Sequence, residues 1–208
     1  MLDAALKQLP LVAILRGVKP EEVEAIAEVL YAEGFRVIEV PLNSPSALDS
    51  IARVARRMPA DAVVGAGTVL SVQSVIDVEA AGGKLIVMPH ADVEVIRAAK
   101  ARGLFCVPGA ATPTEAFAAV NAGADAVKLF PAELITPTIV KAMRAVLPKD
   151  LRLLPVGGIT PDNMGPYVKA GAAGFGLGSA LYSPGLTAAE VGQRARAFVA
   201  GWRALQAT

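Results

Sequence analysis

Ala126-Val127-Lys128-Leu129-Phe130-Pro131 is a short apolar run with one lysine in its middle. Ala122-Gly123-Ala124-Asp125 precedes it, so the run reads as a buried parallel strand entered from a helix. Lysine is rarely buried without a partner. If helices cover the outside of the strand, an inward-facing Lys128 must meet a counter-charge or lose its proton, because burial disfavours the ammonium. A neutral amine in a pocket attacks carbonyls and can form a Schiff base. A lysine snorkelling from the strand end, or held in a structural ion pair, accounts for the same run.

Working outward, seven further apolar runs repeat the pattern. The eight begin near Leu11, Val37, Ala62, Leu85, Phe105, Ala126, Arg152 and Gly174, at spacings of 20–26 residues. Helical patterns fill the gaps. Pro20-Glu21-Glu22-Val23 opens one, with Val23, Ile26, Ala27 and Leu30 as its apolar stripe. Ser44-Pro45-Ser46 opens a second, Ser71 caps a third and Ala91-Asp92 a fourth. Thr112-Pro113-Thr114-Glu115 is a capping box with proline at the first helical position, and Thr160-Pro161-Asp162-Asn163 is expected to act likewise. Glycines such as Gly34, Gly103, Gly123 and Gly171 close the helices. Eight strand-helix units with short connections predict an α/β chain folded as a (β/α)₈ TIM barrel rather than an open doubly wound sheet. No linker or change of composition divides it, so residues 1–208 are expected to form a single domain. Residues 1–10 are expected to cover the lower mouth, and a last helix from about Ala188 to Leu205 to close the barrel.

Composition narrows the function. The chain has 208 residues, 54% hydrophobic and 5% aromatic, so the core is built mainly from aliphatic side chains. A net charge of +1 without a basic run gives no electrostatic case for nucleic acid or an anionic membrane. No uncharged apolar stretch of about 18 residues is present, and no membrane span is expected. The N-terminus carries an acid early and lacks a signal-like pattern, so the expected location is cytoplasmic. The single cysteine, Cys106, lies in an apolar run and is expected to be a small buried hydrophobe. The single histidine, His90, follows the fourth strand; alone it cannot make a histidine-rich metal site. No metal or cofactor is expected.

Active sites of such barrels lie at the C-terminal ends of the strands. Lys84 and Arg152 stand at strand starts, where solvation or stability explains them. Arg16, Glu39 and Lys128 stand within strands or at their upper ends. Glu39 with Lys128 can be a buried salt bridge, but such pairs often stabilise no better than apolar replacements. The functional reading makes Lys128 the Schiff-base nucleophile, Glu39 the proton carrier and Arg16 the carboxylate binder. Gly157-Gly158 after the seventh strand and Gly178-Ser179 after the eighth suit a phosphate, since glycine lets backbone N–H groups approach an anion. Gly65-Ala66-Gly67-Thr68 ends the third strand; its glycines serve either close approach to a ligand or a tight turn, and Thr68 supplies a hydroxyl.

The chain resembles the 2-keto-3-deoxy-6-phosphogluconate (KDPG/KHG) aldolase family over nearly its whole length. The matching pieces are Val12-Ala13-Ile14-Leu15-Arg16-Gly17, Ile38-Glu39-Val40-Pro41-Leu42, Gly65-Ala66-Gly67-Thr68-Val69, Pro108-Gly109, Val127-Lys128-Leu129-Phe130-Pro131 and Val156-Gly157-Gly158-Ile159. The resemblance implies a class I pyruvate aldolase, a homotrimer of barrels, with Lys128 as Schiff-base lysine and Glu39 as acid/base. It implies substrate binding by Arg16 and Thr68, and phosphate binding by Gly157, Gly158, Gly178 and Ser179. Where the gluconate enzymes have Thr-Leu-Arg-Thr after strand two, this chain has Pro41-Leu42-Asn43-Ser44-Pro45, which looks like the branch acting on the galactonate epimer. Val156 in place of a threonine agrees. Phe130-Pro131-Ala132-Glu133 looks instead like the gluconate branch. The implied reaction is cleavage of 2-dehydro-3-deoxy-6-phosphogalactonate to pyruvate and D-glyceraldehyde 3-phosphate. The gluconate epimer or 4-hydroxy-2-oxoglutarate is the alternative substrate. A phosphate-binding barrel isomerase or synthase, and a barrel that binds without catalysis, are the rivals from other classes.

Overall fold

The structure, a computed structural model, describes residues 1–207. After helix α1 (Leu2–Gln8) strands and helices alternate. They run β1 (Leu11–Ile14), α2 (Val23–Ala32), β2 (Val37–Pro41), α3 (Ala47–Arg57), β3 (Val63–Gly67), α4 (Val72–Ala80), β4 (Leu85–Val87) and α5 (Val93–Ala101). There follow β5 (Phe105–Val107), β6 (Gly109–Ala110), α6 (Pro113–Asn121), β7 (Val127–Leu129), α7 (Pro137–Val146), β8 (Leu153–Pro155), α8 (Met164–Lys169), β9 (Phe175–Leu177) and α9 (Ala188–Gln206). Each apolar run becomes a strand beginning within one residue of the expected start. The run at Phe105 gives two strands. Pro108 separates β5 from β6 because it has no N–H to donate into a ladder, though its carbonyl still accepts from Lys128 N at 2.9 Å.

Every strand pair is parallel. One sheet has six strands in the order β5-β4-β3-β2-β1-β9, and a second has three, β6-β7-β8. The chain passes from the first sheet to the second across Pro108. An isolated parallel bridge between Val156, just past β8, and Gly176 in β9 links them again. The architecture is thus α/β with helices packed on parallel strands, as the alternation predicts.

The helix starts follow the capping chemistry, with two differences. Thr112 and Glu115 form the expected box, Thr187 and Glu190 form another at α9, and Ser71 and Asp92 accept first-turn N–H groups of α4 and α5. Ser44-Pro45-Ser46 opens α3 as expected, with Ser46 at the N-cap, but no side chain caps it; the Ser44 hydroxyl accepts instead from Gly17 N at 2.9 Å. Thr160 does not cap α8. Asn163 holds the turn instead, accepting from Thr160 N and donating to Gly158 O, and α8 starts at Met164.

Side-chain alternation sorts the strands into two faces. Ala13, Ile38, Val64, Ile86, Cys106, Val127 and Leu153 pack outward with the helices in the larger core. Val12, Val37, Val63, Leu85, Val107 and Leu154 point the other way and pack with Leu2, Ala5 and Leu6 of α1. So α1 covers the lower end of the inner face as expected, and Arg152 fastens it there through a 2.6 Å ion pair with Asp3. Cys106 is buried on the outer face beside Met88, and burial pushes its thiol up to about 12, the behaviour of an inert hydrophobe.

Candidate active site

The same alternation decides where the two strand charges go. In β2, Val37 faces inward and Ile38 outward, so Glu39 faces inward; in β7, Val127 and Leu129 face outward, so Lys128 faces inward. Glu39 is 1% exposed and Lys128 6%. Both line a small cavity whose other walls are apolar, including Leu2 and Leu6 below. Burial is the main force on each group, and it acts in opposite directions on acid and base. It pushes the Glu39 carboxyl up to about 6, against the pull of the positive charges on Lys128 and Arg16. It pulls the Lys128 ammonium down; Glu39's charge opposes this, and Arg16's charge reinforces it.

The Glu39 carboxylate has room because residue 67 is glycine. A Cβ on Gly67, at the end of β3, would overlap it. Glu39 Oε2 is buried and has no hydrogen-bond partner among the described residues. An unpartnered buried carboxylate oxygen is costly and calls for an explanation, of which waiting for a ligand's proton is one. Lys128 Nζ lies 4.7 Å from the centre of the Phe130 ring, which screens it on one side.

Above this pair opens a cleft of about 650 Å³. Lys128 belongs to its floor as well as to the cavity below. Arg16, Thr68, Gly157, Gly158, Gly178 and Ser179 all line it. The structure therefore brings together the residues singled out in the sequence, with Glu39 just beneath the cleft. Arg16 is exposed on the loop after β1, and its Nη1 donates to Asn43 Oδ1 at 2.7 Å. Thr68 has φ 56°, a strained conformation for a β-branched residue. The N–H groups of Gly157, Gly158, Gly178 and Ser179 donate to no acceptor among the described residues, which leaves two loops of free donors facing one space. His90 is exposed and does not line the cleft, although its neighbour Pro89 does. Among the described residues no group of three or more His, Cys, Asp or Glu side chains is placed to hold a metal.

Sequence reasoning passed over two residues at the site. Asn43 braces Arg16, and Glu133 lines the cleft beside Gly157. Both lie in loops beyond strand ends, outside the pattern of charges on strands. Carrying that pattern a few residues past β2 and β7 is the signal that finds them.

Comparison with known proteins agrees with this geometry. The family model described as KDPG and KHG aldolase matches residues 2–196. The chain is 46% identical over 196 residues to a probable 2-dehydro-3-deoxy-6-phosphogalactonate aldolase of Rhizobium meliloti, covering 94% of this chain and 92% of that one. It is 44% identical to the 2-dehydro-3-deoxy-6-phosphogalactonate aldolase of Escherichia coli K12, covering 94% and 96%. Its fold is similar to a solved structure described as native KDPGal, with a TM-score of 0.95 and 43% identity over 97% of this chain and 98% of that chain.

Proposed function

We propose that this chain, which belongs to the KDPG and KHG aldolase family and is an aldolase, cleaves 2-dehydro-3-deoxy-6-phosphogalactonate to pyruvate and D-glyceraldehyde 3-phosphate through a Schiff base on Lys128. The observation that carries this reading is a buried lysine and a buried, unpartnered carboxylate on one inner face beneath an open cleft. Family membership sets aside the isomerase, synthase and non-catalytic readings.

In the proposed mechanism the neutral Lys128 Nζ attacks the C2 keto carbon. One Nζ proton passes to the C2 oxygen, giving the carbinolamine; Glu39, as the acid, gives its proton to that hydroxyl, which leaves as water, and the protonated imine remains. Glu39, now a carboxylate, takes the C4 hydroxyl proton as the C3–C4 bond breaks. The bonding pair flows into the imine, leaving the enamine of pyruvate on Lys128 and the aldehyde of glyceraldehyde 3-phosphate. Glu39 returns the proton to C3, and water hydrolyses the imine. One group must both give and take protons near neutrality, and a carboxyl pushed up to about 6 is suited to that. The imine is the electron sink, so no step calls on a metal. Arg16 binds the substrate carboxylate as a forked donor, Thr68 offers its hydroxyl, and the free N–H groups of Gly157, Gly158, Gly178 and Ser179 hold the phosphate. Borohydride added with pyruvate is expected to fix a reduced adduct on Lys128; full activity in Lys128→Ala would sink the assignment.

The epimer follows from what the walls offer the C4 hydroxyl. Val156 lines the cleft and the cavity next to Lys128 and can neither donate nor accept. Asn43 engages Arg16 where the gluconate enzymes supply a further arginine. Both favour the galactonate form, because a missing polar partner discriminates strongly. Glu133, in a segment of the gluconate type, is the observation for the second reading, the gluconate epimer or 4-hydroxy-2-oxoglutarate. A tenfold or greater preference in kcat/KM for the gluconate epimer, about 1.4 kcal/mol, would overturn the first.

Two structural proposals accompany the activity. The chain's continuity through Pro108 and the Val156–Gly176 bridge support reading the two sheets as arcs of one eight-stranded (β/α)₈ barrel in a single domain over the described residues 1–207; Thr208, the end of the expected domain, lies outside them. An experimental structure with β8 and β9 apart would refute it. The exposed apolar side chains of Leu134, Ile139 and Val146 support self-association, for which the family resemblance suggests a trimer. A monomer in sedimentation at micromolar concentration would remove it.

A further inference from the structure

The phosphate loop has an anion beside it that belongs to the chain. Glu133 lies in the turn between β7 and α7, and its carboxylate sits against the Gly157-Gly158 turn. A Cβ on Gly157 would overlap Glu133 Oε2 and lie 2.9 Å from its Cδ; a Cβ on Gly158 would lie 3.2 Å from its Cγ. Backbone contacts on either side place residue 133 there. Ala132 N donates to Val156 O at 2.9 Å, and Tyr167 Oη donates to Ala132 O at 2.9 Å. Leu134 N and Ile135 N close the turn onto Pro131 O. Glu133 itself makes no hydrogen bond or ion pair among the described residues, yet it lines the cleft with the free donors of Gly157, Gly158, Gly178 and Ser179. An exposed carboxylate poised at an anion site without a cation of its own repels whatever anion enters.

We propose that Glu133 is a specificity-determining residue of the phosphate loop, an internal competitor that must swing aside when a phosphate enters. The proposal rests on the phosphate reading of the loop given above. Its consequence is selectivity between tethered and free anions. Inorganic phosphate has to displace Glu133 unaided. The substrate's phosphate is part of a molecule already held at Lys128 and Arg16, so it enters at a high effective concentration. After C3–C4 cleavage that tether is gone, and Glu133 favours departure of the phosphorylated aldehyde.

The test measures inhibition of cleavage by inorganic phosphate in the wild type, Glu133→Gln and Glu133→Ala, with borohydride trapping of pyruvate alone as a readout of Lys128. Both variants are expected to bind inorganic phosphate at least about fivefold more tightly, the effect of one unit charge at roughly 4 Å in water. The KM for the phosphorylated substrate is expected to fall by less, and pyruvate trapping to be unchanged. Equal or weaker phosphate inhibition in both variants, with pyruvate trapping intact, overturns the proposal and leaves the phosphate loop standing. Absence of phosphate inhibition in all three proteins overturns the proposal together with the phosphate reading.

Discussion

Replacing Glu39 by glutamine should remove activity and change how stability depends on pH. The carboxyl is raised from its ordinary 4.5 to about 6, chiefly by burial. At about 1.36 kcal/mol per pH unit this corresponds to about 2 kcal/mol. The sign follows from which state holds the proton. Between pH 4.5 and 6 the folded protein keeps a proton that the unfolded chain has released. The contribution is therefore fully present below pH 4.5 and is lost as pH rises through about 6. Glutamine carries no titrating proton, so it lacks this slope. Its buried amide adds a cost of its own, but that cost does not vary with pH and cancels from the comparison. Denaturant titrations at a series of pH values measure the effect, with fluorescence of Trp202 as the probe; that ring packs on Phe175 and reports the docking of α9. Protein concentration is held fixed, so that self-association does not enter. From pH 4 to pH 7 the wild type should lose about 2 kcal/mol relative to Glu39→Gln. The comparison stops there because removing Glu39's charge also removes what raises the Lys128 ammonium, and the lysine's own titration then enters. A stability difference constant within about 0.5 kcal/mol across this range would refute the burial argument.

Gly67→Ala should leave a folded protein and displace the Glu39 carboxylate, lowering kcat/KM by about a hundredfold, the usual consequence of a misplacement near 1 Å; a circular dichroism spectrum like the wild type's with undiminished activity would contradict it. The reactive free enzyme has Lys128 neutral and Glu39 still the acid, one proton fewer than the doubly protonated pair, so kcat/KM for cleavage should climb about tenfold per pH unit below about 6 and level off above it, and a profile flat from pH 5 to 7 would remove Glu39 from the pair. Asn43→Ala releases the Arg16 guanidinium from its 2.7 Å partner; KM should rise about threefold to tenfold with kcat little changed, as expected for one exposed hydrogen bond, and steady-state kinetics showing a fall in kcat instead would assign Asn43 another role.

What was legible before any coordinates follows from periodicity. Strand parity alone sends Glu39 inward between Ile38 and Val40, and Lys128 inward between Val127 and Leu129, once both faces are covered. Parity also separates Cys106, outward and inert, from Val107, inward and lining the cavity. Loops have no such period. Ser44-Pro45-Ser46 does start α3, with Ser46 at the N-cap, but nothing local says that the Ser44 hydroxyl goes to Gly17 N of the neighbouring loop and not to a cap. Thr160 loses its capping role to Asn163, because Asn163 reaches both Thr160 N and Gly158 O. Pro108 could have been read as a break in the fifth strand from its missing N–H. Glu133 carries no signal beyond its place in a family motif, since nothing local says that residue 133 meets residues 157 and 158.

The inner face also explains why a lysine and a glutamate with such different ordinary pKa values can share protons. Below them the cavity is closed by Leu2 and Leu6 of α1 and by Val37, Leu85 and Leu154, so no polar group from beneath solvates either charge. Above them the cleft is open and lined by donors. Each charged form is therefore disfavoured from one side, and burial moves the two pKa values toward each other, the acid up and the ammonium down. Arg16 acts with burial on one group and against it on the other, since its charge lowers Glu39 and lowers Lys128 alike. For the lysine this adds to burial and favours the nucleophilic amine; for the glutamate it opposes burial and favours the carboxylate. One arginine at the rim thus favours the neutral, nucleophilic amine of Lys128 and keeps the Glu39 carboxyl from rising further, so that near neutrality it can both give and take a proton.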